Sequence, residues 1–471
     1  MAPPPHALVI PYPAQGHVIP LLELAHALVD RGFTVTFANS EFNHRRVVAA
    51  AGADMSESEL SLLLDRRIRL VAVPDGMGPE EDRNNLVRLT LLMAEHMAPR
   101  VEDLIRRSGG DADAGPVTCV VADYNLGMWA LDVARRTGVK SAAIWPASAA
   151  VLASLLSIDK LVQDNIIDPE DGSALSQGTF QLSPDMPVMQ TAHLCWNCIG
   201  NQDGQEAMFR YLKAGVRAVE NCDFVLCNSF HGAEQATFAR FPQILPVGPF
   251  LTGERKKAAV VGHFWRPEDD ACMSWLDAQP ARSVVYVAFG SFTMFDTRQF
   301  RELALGLELS GRPFLWVVRP DIVLGGDVHD YPDGFLDRVT ASGRGMVVAW
   351  SPQQRVLSHP SVACFVSHCG WNSTMEGVRN GLPFLAWPYF ADQFVNQVYI
   401  CDVWKVGLRA DADESGVITK EHIAGRIEEL ISDDAGMRER VEAMKKVAHE
   451  SIDHGGSSHR NFDMFVEAIK A

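Results

Sequence analysis

Positive charge is scarce in this sequence: 42 Lys and Arg stand against 59 Asp and Glu, a formal net charge of −17. A surface of that sign repels phosphate backbones and anionic lipid, which argues against nucleic-acid and membrane-surface binding but not against a small anion held in a local site. Long apolar runs are missing as well. The longest nearly uncharged stretch, 141–158, carries Pro146 and several Ser and Ala, so it reads as a buried strand end followed by a helix, not a membrane span. Cysteine is thin, nine residues over a chain of 471. An odd, scattered set of thiols fits a reducing, cytoplasmic setting. Cys195 and Cys198 form a lone C-x-x-C without a second pair at zinc-knuckle spacing, so no metal is expected. The segment Met-Ala-Pro-Pro-Pro-His lacks the basic and apolar regions of a secretory signal.

Three signatures are also absent. No G-x-G-x-x-G follows the first apolar run, which argues against a dinucleotide oxidoreductase. No G-x-x-x-x-G-K-[ST] occurs, which argues against a P-loop nucleotidase. No G-x-S-x-G occurs, which argues against a serine hydrolase of the nucleophile-elbow type.

What is present is a globular chain, 47% apolar and 21% charged, with ample material for a core. Short apolar runs alternate with helical patterns: strands are expected at 7–11, 33–38, 68–73, 117–123, 139–145 and 224–228. Tyr12–His17 is a Pro/Gly loop, and 18–31 has helical spacing that stops at Gly32. A Pro/Gly-rich segment around 246–267, with the basic Arg255-Lys256-Lys257, breaks this rhythm and reads as a linker. A second series follows, with strands at 284–290, 314–319, 346–350, 363–367 and 384–387. This predicts an α/β chain of two doubly wound halves, 1–245 and 268–454, facing a cleft, with a final helical piece, 455–471, packing back on the first half.

The chemistry concentrates between Trp350 and Gln393. A strand ends near Ser367, and His368-Cys369-Gly370-Trp371-Asn372-Ser373 opens a helix. A glycine turn into a helix start presents N–H groups and the positive dipole end, an anion site suited to a diphosphate. His368, Asn372 and Ser373 add side-chain donors there. Glu376, one turn on, is placed to accept from two ribose hydroxyls, and Trp350 offers a flat face to a base. Each has a plainer alternative: Ser373 as a cap, Glu376 as a solvated charge, Trp350 as core.

This stretch, WSPQQRVLSHPSVACFVSHCGWNSTMEGVRNGLPFLAWPYFADQ, resembles the secondary-product glycosyltransferase box of the plant family 1 UDP-glycosyltransferases. Pro11–His17, Phe289-Gly290-Ser291 and Gly455–Ser458 agree with it, so the likeness spans the whole chain, nearest to group-83-like members. The resemblance implies the glycosyltransferase-B fold, with acceptor binding in the first half and UDP-sugar binding in the second. It implies UDP contacts from Ser291, Trp350, Ser351, Gln353, His368, Trp371, Asn372, Ser373 and Glu376, and sugar contacts from Asp392, Gln393 and Trp371. The expected reaction is inverting glucosyl transfer from UDP-glucose to a hydroxyl of a small apolar acceptor, such as a flavonoid or other plant phenolic. No cofactor, metal or macromolecular partner is expected, and the protein should be a monomer. Use of another UDP-sugar, or ligand binding without catalysis, is the alternative. Relatives often carry Thr after the Trp of the fifth strand, where this chain has Pro146, so that sugar contact is missing or passes to Ser148.

With the resemblance, His17, closing the loop after the first strand, and Asp123, ending another strand, are the expected catalytic base and its carboxylate partner, with a loop-capping histidine and a helix N-cap as the plainer alternatives. Met93, Trp145, Ser148 and Trp196 are candidates for the acceptor wall, with core packing as the alternative. The Asp-x-Asp triplets at 111–113 and 411–413 sit in Ala/Gly/Ser-rich loops and read as solvated charge.

Overall fold

The computed structural model describes residues 4–52, 64–110, 115–198, 204–250, 262–325, 330–432 and 436–470. Half of the expected linker, 251–261, and the triplet Asp111-Ala112-Asp113 lie outside the described residues. The chain divides into two compact units, Met1–Arg266 with Glu450–Ala471, and Pro267–His449.

The first unit is built on strands β1 (His6–Ile10), β2 (Thr34–Ser40), β3 (Ile68–Val73), β4 (Cys119–Asp123) and β5 (Lys140–Trp145). A small antiparallel pair follows, β6 (Thr179–Phe180) with β7 (Met189–Gln190), and then β8 (Phe224–Cys227) and β9 (Ile244–Pro246). The main sheet runs β3-β2-β1-β4-β5-β8-β9, with every pairing parallel. A parallel strand covered on both faces needs apolar residues throughout, not in alternation. β1 meets that condition from Ala7 to Ile10 and is buried along its length, with His6 at its start bonded to the Gly115 carbonyl and Thr36 Oγ1.

The next helix, Gln15–Asp30, buries Val18, Leu21, Leu22, Ala25, Leu28 and Val29, the three-and-four spacing of one helical face. It stops where Gly32 takes φ +90°, which lets the Phe33 N–H return to the Leu28 carbonyl at 3.1 Å. The last helix, Ser457–Lys470, belongs to this unit as well. Its Phe462, Phe465, Val466 and Ile469 join the core that holds Leu24, Val29, Phe33 and Ile144.

The second unit carries β10 (Val284–Ala288), β11 (Phe314–Val317), β12 (Gly345–Val348), β13 (Val362–Ser367), β14 (Phe384–Ala386) and β15 (Gly407–Arg409), ordered β12-β11-β10-β13-β14-β15 and again parallel. Val285, Val287, Phe300, Leu303, Phe314, Trp316 and Leu385 anchor its core.

Two differences from the sequence reading have local causes. Tyr12–His17 is not all loop: the N–H groups of His17 and Val18 both bond the Ala14 carbonyl at 2.9 Å, so the helix begins at Gln15 and takes His17 into its first turn. β6, β7, β9 and β15 were not foreseen, because runs of two or three residues are too short to show a period; three-residue β14 was found only through the longer apolar run around it, and β9 reaches into the Pro/Gly segment read as linker. Among the described residues no helix is long and apolar enough to cross a membrane.

Each sheet has one place where its strand order reverses direction: between β1 and β4 in the first, between β10 and β13 in the second. Open α/β sheets bind ligands beyond the carboxyl ends of the strands at such a point, so each unit has one place where a ligand site is expected.

Candidate active site

In the first unit the reversal point holds a His–Asp pair. β1 and β4 run side by side, with Ile10 opposite Ala122, so the chain following each strand emerges at the same edge. Asp123 closes β4 and is fully buried. Its Oδ2 lies 2.7 Å from His17 Nδ1, while its Oδ1 accepts the Asn125 N–H at 3.0 Å and so fixes the carboxylate. With Nδ1–H donating to the carboxylate, a neutral imidazole carries its lone pair on Nε2. Tyr12 walls the imidazole at 5.4 Å between ring centres, and its hydroxyl bonds Thr90 Oγ1 at 2.9 Å. Burial pushes the Tyr12 phenol up to about 12, partly countered by Thr90 and reinforced by Asp123, so Tyr12 stays neutral near pH 7.

The acceptor-wall candidates need correction. Met93 and Trp196 show no exposed surface. Met93 faces inward with Met97 and Val101 at four-residue spacing, and Trp196 packs on Phe209 and donates its indole N–H to the Gly172 carbonyl at 2.8 Å. Ser148 is also fully buried, preceding the helix Ala149–Leu156, so it is not placed to supply the sugar contact that Pro146 cannot make. Trp145 keeps 6% exposure, its edge against Tyr124 and its N–H on the Ser148 carbonyl at 2.7 Å. Large apolar side chains on the inner face of an amphipathic helix are core first, which sequence spacing alone does not separate from a ligand wall.

In the second unit the reversal point lies between the ends of β10 and β13, where Phe289-Gly290-Ser291 and His368-Cys369-Gly370 leave the sheet. Cys369 takes φ +64°, uncommon for a residue with a side chain, and Gly370 caps the ten-residue helix Trp371–Asn380. The first N–H groups of any α-helix lie outside its own ladder and carry the positive end of its dipole. His368 sits tightly between the two glycines: a Cβ on Gly290 would lie 2.5 Å from His368 Nε2, and one on Gly370 would lie 2.4 Å away. Burial pushes the His368 pKa down to about 4, opposed by the Ala288 carbonyl and helped by the Arg319 charge. The imidazole is therefore a neutral group near pH 7.

A hydrogen-bonded chain joins the other expected nucleotide ligands. Tyr286, buried on β10, bonds Ser351 Oγ at 2.8 Å and donates to Gln353 Oε1 at 3.1 Å. Gln353 Nε2 then donates to Ser373 Oγ at 2.8 Å and to Glu376 Oε2 at 2.7 Å, and Gln354 Nε2 reaches Glu376 Oε1 at 3.2 Å. Burial pushes the Glu376 carboxyl up, while both Gln amides and Arg379 hold it down. Trp350 follows β12 half-buried, its carbonyl accepting the Glu268 N–H at 3.0 Å. The Trp371 ring turns inward, 3% exposed and 6.1 Å from Trp404, so any ligand contact falls to its backbone.

The end of the motif is equally ordered. Gln393 Oε1 accepts the N–H groups of Tyr389 and Phe390 at 2.8 and 3.0 Å, which fixes the amide and leaves Nε2 as its donor side. Its carbonyl is thereby committed within the protein. Asn396, fully buried, donates to the Cys369 carbonyl at 2.9 Å and to Asp392 Oδ2 at 2.7 Å. Tyr286, Gln354, Arg319 and Asn396 were missed. Only Asn396 carried a usable signal, standing four residues after Asp392, the spacing of neighbours on one helical face. Among the described residues no group of three His, Cys, Asp or Glu is placed to hold a metal ion.

Two parallel-sheet units, one with a His held on a fully buried Asp at its reversal point and the other with a glycine turn into a helix start at its own, have the architecture of a nucleotide-sugar transferase of the glycosyltransferase-B fold. The chain belongs to the family of plant UDP-glycosyltransferases. The family model described as UDP-glucoronosyl and UDP-glucosyl transferase matches residues 258–451. The chain is 41% identical to UDP-glycosyltransferase 83A1 of Arabidopsis thaliana over 474 residues, covering 99% of this chain and 97% of that protein. It is 36% identical to Linamarin synthase 1 of Manihot esculenta over 485 residues, covering 99% and 97%. Among solved structures it is similar to a Polygonum tinctorium UDP-glucosyltransferase capable of glucosylating indoxyl, in complex with 3,4-dichloroaniline. The TM-score is 0.81 at 30% identity, with all of both chains covered.

Proposed function

We propose that the protein transfers glucose from UDP-glucose, with inversion, to a hydroxyl of a small, largely apolar acceptor. The observation that carries this reading is the 2.7 Å contact between His17 and buried Asp123 in a chain that also holds the complete nucleotide-sugar motif. His17 Nε2 takes the acceptor hydroxyl proton while Asp123 stabilises the imidazolium. The acceptor oxygen forms its bond to the anomeric carbon from the side opposite the diphosphate, and the bond from that carbon to the UDP oxygen breaks. Inversion follows from this single displacement. The start of the helix Trp371–Asn380, His368 and Ser291 take up the charge on the departing UDP, Trp350 stacks on uracil, and Glu376 and Gln353 hold the ribose region. Asp392 and the Gln393 Nε2 donor hold sugar hydroxyls.

In this reading the helix dipole and neutral donors do the work of a metal, so none is required. The acceptor class is supported by the glucosylation of indoxyl by the Polygonum relative, and a plant phenolic such as a flavonoid is the first choice. A cytoplasmic monomer is the simplest form of the enzyme, and an odd, scattered set of nine cysteines supports the reducing compartment. The test is a panel of hydroxyl acceptors with UDP-glucose, UDP-galactose and UDP-glucuronate, read by mass spectrometry with and without EDTA. Glucosides formed in the presence of EDTA support the proposal. Glucuronides as the main product, or turnover that chelation abolishes and magnesium restores, overturn it.

A further inference from the structure

Arg319 is among the largest fully buried side chains in the protein, its side chain 2% exposed just beyond β11. A buried guanidinium is costly unless its charge and its donors are matched. Its donors are matched. One terminal nitrogen donates to the Gly290 carbonyl, the other to the Thr293 carbonyl at 2.8 Å, and Nε donates to Asp321 Oδ1 at 2.9 Å. Its charge is matched less well. Both carbonyls are neutral, and the one carboxylate partner among the described residues, Asp321, is 61% exposed, where water screens it. The two carbonyls bracket Ser291, in the turn that leaves β10 at the reversal point of the sheet. The same charge reaches His368 across that turn.

We propose that Arg319 is a positioning residue for the diphosphate: it clamps the Gly290–Thr293 turn from beneath and keeps there a buried positive charge that favours UDP as it departs. This rests on reading Ser291 and His368 as diphosphate ligands. A guanidinium suits the task, since its planar fork reaches two carbonyls at once and it does not lose its proton. A clip needed only for folding would have no preference for charge in the ligand, and this separates the two roles.

The experiment uses the full chain and titrates uridine, then UDP, by calorimetry, with kcat and donor KM measured in parallel. Arg319→Gln should weaken UDP binding by about ten- to hundredfold, the range of one charge-assisted hydrogen bond, and leave uridine affinity within about twofold. Arg319→Lys, which restores the charge without the fork, should recover part of the UDP affinity. If Arg319→Gln does not fold, Asp321→Asn at the surface removes the counter-charge and should tighten UDP binding about two- to fivefold at low salt while leaving uridine unchanged. Equal losses for uridine and UDP, no recovery by lysine, or unaltered UDP affinity in Asp321→Asn overturn the proposal. Failure of the unaltered protein to bind UDP would instead overturn the proposed function.

Discussion

Asp123 Oδ2 stands 2.7 Å from His17 Nδ1, the carboxylate wholly buried and the imidazole still 24% exposed. That asymmetry suits a base. The group that must meet substrate keeps a surface, and the group that orients it is sheltered. Replacing His17 by Ala should lower kcat by about 10²–10⁴ on an aliphatic alcohol acceptor. UDP affinity, measured by calorimetry, should be unchanged, because the expected UDP ligands belong to the other unit. Asp123→Asn should cost a comparable amount or less, and the double variant should be no worse than His17→Ala alone, since the two act as one unit. Near-normal turnover by His17→Ala on an alcohol of high pKa would remove His17 from its role.

Gln393 lends itself to a separation of functions. Its carbonyl serves the Tyr389 and Phe390 N–H groups, so Gln393→Glu preserves those two bonds while converting the opposite side from donor to acceptor. The variant should melt within a few degrees of the parent and lose about ten- to hundredfold in kcat/KM for UDP-glucose. Gln393→Leu should lose both stability and activity. Equal activity in Gln393→Glu would show that the amide N–H does not meet the sugar.

The two glycines against His368 predict an order of severity. Gly370→Ala introduces a clash with the imidazole in an otherwise ordinary backbone, φ −58°. Crowding of that kind costs roughly 1–3 kcal/mol. Gly290→Ala adds to a similar clash a left-handed backbone, φ +66°, worth about 1–2 kcal/mol more. Gly290→Ala should therefore have the lower denaturation midpoint in urea, and both variants should bind UDP more weakly. The reverse order would mean that the imidazole moves aside at little cost.

His368 also makes stability depend on pH. Its pKa falls from 6.5 to about 4 on folding, chiefly through burial. Between those values the unfolded chain binds the proton and the folded chain does not, so stability held above about pH 6.5 is lost as the pH falls toward 4. The loss is at most about 3 kcal/mol. Urea melts from pH 7 to about pH 4.5 should show a shallower decline in His368→Gln than in the parent. Parallel declines would mean that other groups carry the acid sensitivity.

Much of this was open to reading from residues. Strands such as Val284–Ala288 were visible because buried parallel strands are nearly unbroken apolar runs, and the dense motif at 350–393 places its polar residues at strand ends, where topology puts ligands. The contacts that prepare the site were not visible. Tyr286 looks like any aromatic of a buried strand until its hydroxyl is seen between Ser351 and Gln353. Arg319 and Gly290 are 29 positions apart, and no local pattern reports such a bond. The acceptor wall failed for the opposite reason: Met93 and Trp196 have the right chemistry for a pocket, but that chemistry is also what a core uses.

The helix Ser457–Lys470 has a consequence for how the chain is made. Its Phe465 and Val466 complete a core whose other members begin at Ala7. A ribosome delivers the whole second unit before those two residues emerge, so the first unit waits, unfinished at one face, while its neighbour in sequence can already close. A stalled or clipped product ending before Phe462 would leave a finished nucleotide-binding half joined to an open, apolar one. Such a product would present that apolar face to chaperones and proteases.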